Sequence, residues 1–142
     1  MSNMNRFFKE NKAQKKNAKY APTRSFLDEK GNPIDFEFRP VPSKENRALR
    51  DEYTKDVQIP GKPNMYRQKL DTSGYIHALI ARSIVYPDLL NAELQDNYGV
   101  KTPEALLDEL VNDAGEYDDL AAWVQRYQGY KSLEDLKTDA KN

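Results

Sequence analysis

The stretch from Ser83 to Val100 constrains the fold most, because it contains two helix boundaries in quick succession. An apolar helical pattern ends at Tyr86, since the residue before a proline is pushed out of the α region. Asp88 is predicted to cap a second helix, and Gly99 can adopt the left-handed conformation that closes it. The apolar stripe of this second helix is Leu90, Leu94 and Tyr98. The break at Tyr86-Pro87-Asp88 should therefore set the angle between the two helices.

The length and the residue content bound the class of protein. A chain of 142 residues is typical of one domain with a modest core. Cysteine is absent, so disulfides and thiolate zinc sites are excluded. The sequence has no apolar run of about eighteen residues, which predicts that no helix crosses a membrane. The N-terminus also lacks the apolar core of a signal peptide.

Charge is distributed unevenly along the chain. Residues 1–24 carry seven basic side chains against Glu10 alone, a net charge of +6, and since the whole chain carries −1, the remainder carries −7. We predict a basic, flexible arm over residues 1–21, a single globular domain over 22–130, and a short helix with a frayed tail over 131–142. The arm is either a solvated tail or a segment that docks on an acidic partner or on nucleic acid.

Residues 24–41 predict a β-hairpin. Ile34, Phe36 and Phe38 alternate with charged residues, which is typical of a half-buried strand. The preceding strand is predicted from Arg24 to Asp28, and the connection contains Gly31, which can take a positive φ. One hairpin is marginal in water, so its aromatic face should cover helices or meet another strand.

Helices are predicted from about residue 43 onward. Ser43 should cap a short polar helix. Residues 56–64 are predicted to form a surface loop. Residues 65–85 are predicted to form a long helix with an apolar stripe from Ile76 to Ile84. Thr102 and Pro103 are typical of a helix start. Ala114-Gly115 should interrupt that helix.

The C-terminal helices complete the predicted architecture. The next helix has an apolar stripe at Tyr117, Leu120, Ala121, Val124 and Tyr127 and ends at Gly129. Ser132 should cap a last short helix over residues 133–136. The predicted fold class is mainly α with a small β-hairpin (α+β), the N-terminal hairpin packing on a compact bundle of about five helices.

The chemistry-bearing residues argue against an enzyme. His77 is the only histidine and lies within a predicted helix, so we interpret it as structural or surface-exposed. Adjacent carboxylates such as Asp118 and Asp119 point to different faces of a helix. The sequence contains neither a glycine-rich phosphate loop nor a calcium loop. We therefore predict no catalytic, cofactor-binding or metal-binding residues.

Tyrosines are frequent in the C-terminal half, and two interpretations remain open for them. They could pack at the edge of the core with the hydroxyl in water, or they could form a recognition surface, since Tyr and Trp dominate binding hot spots. Trp123 lies about a quarter turn away from the apolar stripe of its helix. It could pack at the edge of the core, or it could be an exposed anchor for a partner. The candidate partner-binding residues are Tyr86, Pro87, Leu90, Leu94, Tyr98, Trp123 and Tyr127.

Three segments carry a resemblance to a known family: Phe26 to Val41, Ser83 to Val100, and Ala114 to Leu120. In sequence and in order they are similar to the XkdN-like tail assembly chaperones of phages that infect Gram-positive bacteria. The resemblance spans about Phe26 to Gly129. It implies a non-enzymatic assembly factor and brings no active-site residues with it.

The resemblance also implies partners and a place of action. Such chaperones of long-tailed phages bind the tape measure protein, keep its apolar helices soluble and help to recruit tail tube subunits. The expected partners are the tape measure protein and, as a second candidate, the major tail tube protein; a homo-oligomer is an open alternative to a monomer. The resemblance implies action in the host cytoplasm and absence from the mature virion.

Two rival functions stay open. The protein could be a structural minor tail component that remains in the particle. It could instead be a nucleic-acid-binding module that works through the arm from Arg6 to Arg24, although the acidic body argues against nucleic acid as the partner.

Overall fold

A computed structural model describes residues 3–130 and shows an α+β fold with five α-helices and two small antiparallel sheets in that part of the chain. The predicted fold class is confirmed. The α-helices are α1 (Ser43–Glu52), α2 (Thr72–Ser83), α3 (Ala92–Tyr98), α4 (Pro103–Leu110) and α5 (Ala114–Tyr127). The strands are β1 (Ala18–Tyr20), β2 (Phe36–Phe38), β3 (Thr54–Ile59), β4 (Lys62–Leu70) and β5 (Ile84–Tyr86). Short 3₁₀ helices cover Met4–Phe7 and Lys9–Asn11.

The first sheet has the order β1-β2-β5, so the predicted strand before Pro40 lies at its centre. Phe36 and Phe38 are buried, at 3% and 0% exposure, and Ile34 is half-buried just before the strand. The alternation therefore identified the buried face correctly. Both neighbours of β2 are antiparallel to it.

The predicted first strand of the hairpin, from Arg24 to Asp28, is wrong. That segment forms an isolated bridge between Leu27 and Pro33, with one backbone hydrogen bond on each side of it, and no strand. Asp28 Oδ1 accepts hydrogen bonds from the backbone N–H groups of Lys30 and Asn32, both at 2.9 Å, and closes a tight turn. Gly31 takes a positive φ of 82° there, as expected. The turn is local, whereas β2 takes its strand partners from distant parts of the chain.

The region between α1 and α2 also differs from expectation. The predicted loop over residues 56–64 and the first part of the predicted helix over 65–85 form a two-stranded ribbon, β3–β4, with Gly61 at the turn. The prolines and the glycine of residues 60–63 favour a loop, which explains the error. The α-helix begins only at Thr72, where Asp71 Oδ1 accepts a hydrogen bond from the N–H of Gly74 at 3.1 Å.

Three predicted helix boundaries before Gly99 need correction. Helix α2 ends at Ser83 rather than Tyr86, because Ile84–Tyr86 pairs with β2 as β5. Asp88 does not cap α3; its Oδ1 accepts from the N–H of Leu90, whereas Asn91 Oδ1 caps the helix through the N–H of Leu94 at 2.8 Å. Ser43 is the first residue of α1 rather than its cap, which is Pro42.

The later boundaries agree more closely. Gly99 closes α3 in the left-handed conformation, with a φ of 68°. Thr102 Oγ1 caps α4 by accepting from the N–H of Ala105, and Pro103 occupies the first turn. The helix break lies at residues 111–113, just before the predicted Ala114-Gly115, because Asp113 caps α5. The predicted helix capped by Ser132 lies outside the described residues.

The core is built around α2, which packs against α1, α4 and α5. Leu79 and Ile80 of α2 are buried together with Leu120 and Val124 of α5, which confirms the predicted α5 stripe at its centre. The other fully enclosed leucines are Leu49, Leu106 and Leu107. No helix in residues 3–130 is long and apolar enough to cross a membrane.

The last part of the predicted arm contains β1. Its Tyr20 ring stacks on Trp123, with the centroids 4.7 Å apart and the planes at 7°. Every residue from 3 to 17 is exposed, including Phe7 and Phe8. The boundary of the arm at residue 21 and its flexibility stay predictions.

Two truncations should distinguish the contribution of the exposed arm to stability from that of β1. Deleting residues 1–14 is expected to change the melting temperature by less than about 2 °C, because every side chain from residue 3 to residue 14 is exposed. Deleting residues 1–20 should lower it by at least about 4 °C, because it uncovers the Trp123 ring. Thermal unfolding followed by circular dichroism measures both. Equal losses from the two deletions would contradict this division.

Candidate partner-binding site

A concave surface opens where β2, one face of α3 and the end of β5 meet. We call it the Tyr86 pocket. It has a volume of about 160 Å³ and is lined by Phe26, Ile34, Phe36, Tyr86, Pro87, Leu94, Tyr98 and Leu110. None of the lining side chains carries a charge. The site is therefore suited to an apolar group.

Each wall of the Tyr86 pocket comes from a different element. Phe36 lies on the central strand β2, and the chain turns sharply after β5 through a cis peptide between Tyr86 and Pro87. Leu94 and Tyr98 are four residues apart on α3, so they lie on the same face of the helix. Leu110 closes the site from the end of α4.

The pocket has a buried floor and an exposed rim. Phe36 and Leu110 are buried, Leu94 and Tyr98 are half-buried, and Tyr86 is 59% exposed. A large aromatic side chain held at the mouth of an apolar cavity resembles the anchors that dominate protein interfaces. A partner that covered the rim would bury this ring without reorganising the core.

Four of the seven predicted partner-binding residues lie together in this pocket: Tyr86, Pro87, Leu94 and Tyr98. Leu90 lies elsewhere, on a separate depression beside Arg82 and Pro103. No observation on the described residues tests the partner-binding role of any of the seven, which stays a prediction.

Trp123 and Tyr127 lie apart from the pocket, in an aromatic stack. Trp123 packs between Tyr20 and Tyr127, with centroid distances of 4.7 Å and 5.2 Å, and contacts Phe38 at 4.8 Å. Tyr127 Oη donates a hydrogen bond to the carbonyl of Lys16 at 2.8 Å. Of the two open interpretations, the structure places Trp123 at the edge of the core.

The sequence did not mark Phe26, Ile34, Phe36 and Leu110 as part of the candidate site. Ile34 and Phe36 carried a usable signal, because their alternation predicted a buried face, but it was assigned to the core alone. Phe26 and Leu110 were also assigned to the apolar faces of their elements, but no local pattern indicates that the folded chain brings the segment after β1 next to α4.

His77 has a structural role between three helices. Its Nδ1 lies 2.7 Å from the Tyr117 hydroxyl of α5, and its Nε2 lies 2.8 Å from the Glu104 carbonyl of α4. Asp108 Oδ1 lies 3.4 Å from the same Nε2. Both ring nitrogens are thus held by hydrogen bonds that tie α2 to α4 and α5, which agrees with the structural interpretation.

Comparison with known proteins places the chain in a family. Residues 4–141 match the phage XkdN-like tail assembly chaperone proteins. The chain is 27% identical over 124 residues to the phage-like element PBSX protein XkdN of Bacillus subtilis (strain 168), covering 84% of this chain and 80% of that protein. It is 26% identical, with the same coverage, to the uncharacterized protein YqbN of the same strain.

A solved structure shows the same fold. The crystal structure of YqbN superposes with a TM-score of 0.77 at 18% identity, covering 92% of this chain and 99% of that one. The family match extends over nearly the whole chain and includes the residues of the Tyr86 pocket. The chain belongs to the phage XkdN-like tail assembly chaperone family, whose role is assembly rather than catalysis and is performed in the host cell.

Proposed function

We propose that this protein binds the tape measure protein of its phage, keeps it soluble, and assists tail tube assembly around it. It acts in the host cytoplasm without enzymatic turnover and leaves before the virion is complete. The observation that carries the proposal is the uncharged, mainly apolar Tyr86 pocket on the surface of a tail assembly chaperone. The tape measure protein is the first expected partner, and the major tail tube protein is the second.

The size of the pocket suits one apolar side chain at a time. A cavity of about 150 Å³ accommodates a benzene ring, and the Tyr86 pocket is similar in volume, at about 160 Å³. Burying one leucine or phenylalanine side chain contributes about 1.5–3 kcal/mol. An amphipathic client helix would insert one such residue and lay its neighbours along the rim, in the helix-in-groove mode.

Recognition of this kind is weak per site, which suits a chaperone. A client with many apolar positions along its helices can be held at several of them, and each contact can be released as the tail tube grows. The absence of charges in the lining allows different apolar side chains to enter. Affinity should therefore follow client hydrophobicity more closely than one particular sequence.

Co-expression tests the proposal. The tape measure protein encoded by the same phage is produced with and without this chain, and the soluble fraction is measured in each case. Soluble tape measure protein that depends on this chain and co-purifies with it supports the proposal. An unchanged soluble fraction contradicts it, and this chain detected by mass spectrometry in purified virions would favour a structural tail component instead.

A further inference from the structure

The β3–β4 ribbon projects from the body of the protein. Eight of the nine residues of β4 are exposed, and Leu70 at its base is the exception. At that base, Thr54 Oγ1 donates to the carbonyl of Arg50 at 2.9 Å, and the N–H of Asp71 donates to the carbonyl of Tyr53 at 2.8 Å. An isolated two-stranded ribbon is marginal in water, so a binding partner would stabilise it.

One face of the ribbon is cationic. Lys55 lies directly opposite Lys69, and Val57 lies opposite Arg67 on the same face. Like charges directly opposite each other destabilise a strand pair. Within residues 3–130, these three basic side chains form no ion pair. This basic face therefore lacks a counter-charge that a partner could supply.

A complementary surface exists on the last two helices. Residues 102–125 contain seven acidic side chains and no basic one: Glu104, Asp108, Glu109, Asp113, Glu116, Asp118 and Asp119. Asp108 and Asp118 line a depression of about 260 Å³ between α4 and α5, as does Asp113, the cap of α5. Burial raises the pKa of the Tyr117 hydroxyl, and the carboxylates of Asp108 and Asp118 raise it further, which locates both negative charges beside one ring.

We propose that the basic face of the ribbon in one copy of this chain docks into the α4–α5 acidic depression of a second copy. A projecting cationic element fits a concave anionic one in both shape and charge. The inference does not depend on tape measure binding, because the two docking surfaces share no lining residue with the Tyr86 pocket.

The geometry determines the type of assembly. The two docking surfaces differ, so the contact is heterologous, and each copy in a pair keeps one free ribbon or one free depression. Such contacts form rings when the rotation closes and filaments when it does not. Nucleic acid is the less favoured partner of the ribbon, because residues 102–125 would repel a phosphate backbone brought near the same body.

Charge reversal tests both surfaces. The ribbon variant is Lys55→Glu with Lys69→Glu, and the depression variant is Asp108→Lys with Asp118→Lys. Asp118→Lys alone serves as a second depression variant, because it keeps the contact of Asp108 with His77. The control matched to the ribbon variant is Lys30→Glu with Lys101→Glu, which makes the same charge change at exposed positions outside both surfaces. Circular dichroism confirms that each variant is folded.

Size-exclusion chromatography with light scattering measures the assembly at about 0.1 M and about 1 M salt, between which the Debye length falls from roughly 10 Å to roughly 3 Å. The wild type and the control should reach at least about twice the monomer mass at low salt and approach the monomer at high salt. Each reversed variant alone should associate at least about tenfold more weakly, because its ribbon and its depression now carry charges of the same sign.

Mixing the ribbon variant with the depression variant in equal amounts should restore association, with the two variants alternating. In such an assembly each acidic ribbon meets a basic depression, and each unchanged basic ribbon meets an unchanged acidic depression. A mixture that stays monomeric overturns the proposal, as does a wild type that is monomeric at low salt or association that neither reversal weakens. A ribbon variant that loses salt-sensitive binding to duplex DNA while its own assembly is unchanged would assign the ribbon to nucleic acid and overturn it as well.

Discussion

Replacing Leu120 with alanine is expected to lower the free energy of unfolding by about 2–5 kcal/mol, because the side chain is fully buried and the surrounding helices can only partly fill the space it leaves. Leu120 is 0% exposed and lies in the same core cluster as Leu79, Ile80 and Leu106. Urea unfolding followed by tryptophan fluorescence measures the change, since Trp123 is the only tryptophan.

Leu90→Ala is the matched control for this prediction. It removes the same atoms from a side chain that is 74% exposed, so the free energy of unfolding should change by no more than about 0.5 kcal/mol. If the two substitutions shift the urea midpoint equally, the face of α5 that carries Leu120 is not the core, and the packing described for α2 and α5 is wrong.

The elements that were predicted most accurately are those that depend on a local sequence pattern. The stripe around Leu120 and Val124 needs only helical spacing, and the caps at Thr102 and Gly99 need only one side chain or one backbone angle. The turn at Gly31 is of the same kind. Such features hold in the fold because tertiary contacts reinforce local preferences that already point the same way.

The strand errors have two physical causes, of which the first is pairing over long distances in sequence. Phe38 is paired with Ala18 on one side and with Ile84 on the other. No local sequence pattern predicts either of these strand partners. The second concerns the β3–β4 ribbon, a local hairpin that was misassigned because Pro60, Gly61 and Pro63 favour a loop. Strand stability there comes from the pairing itself rather than from burial.

The residues of the candidate site also divide into those that a local sequence signal predicted and those that only tertiary packing brings together. The sequence singled out Tyr86, Pro87, Leu94 and Tyr98 because they surround one helix break, and the folded chain brings these four together. Phe26 and Leu110 join them only through tertiary packing. Trp123 was ambiguous because its position depends on Tyr20, a residue in the segment predicted to be an arm.

Tyr86→Asp is expected to weaken binding of the tape measure protein by at least about tenfold. The substitution removes an aromatic anchor whose loss at an interface typically costs about 2 kcal/mol or more, and about 1.4 kcal/mol is tenfold in affinity. It also places a carboxylate against apolar walls, where burial without a partner is unfavourable. Because Tyr86 is 59% exposed, the unfolding midpoint should change little.

A pull-down of tape measure fragments tests the binding mechanism most directly. The wild type, Tyr86→Asp and the control Tyr66→Asp are compared at low and high salt; Tyr66 is 63% exposed and lies on the ribbon. We expect the wild type and Tyr66→Asp to retain the fragments at both salt concentrations, because screening weakens charge pairs and leaves apolar burial intact. We expect Tyr86→Asp to lose the fragments. Equal retention by Tyr86→Asp, or loss of the wild-type complex at high salt, would contradict recognition through the Tyr86 pocket.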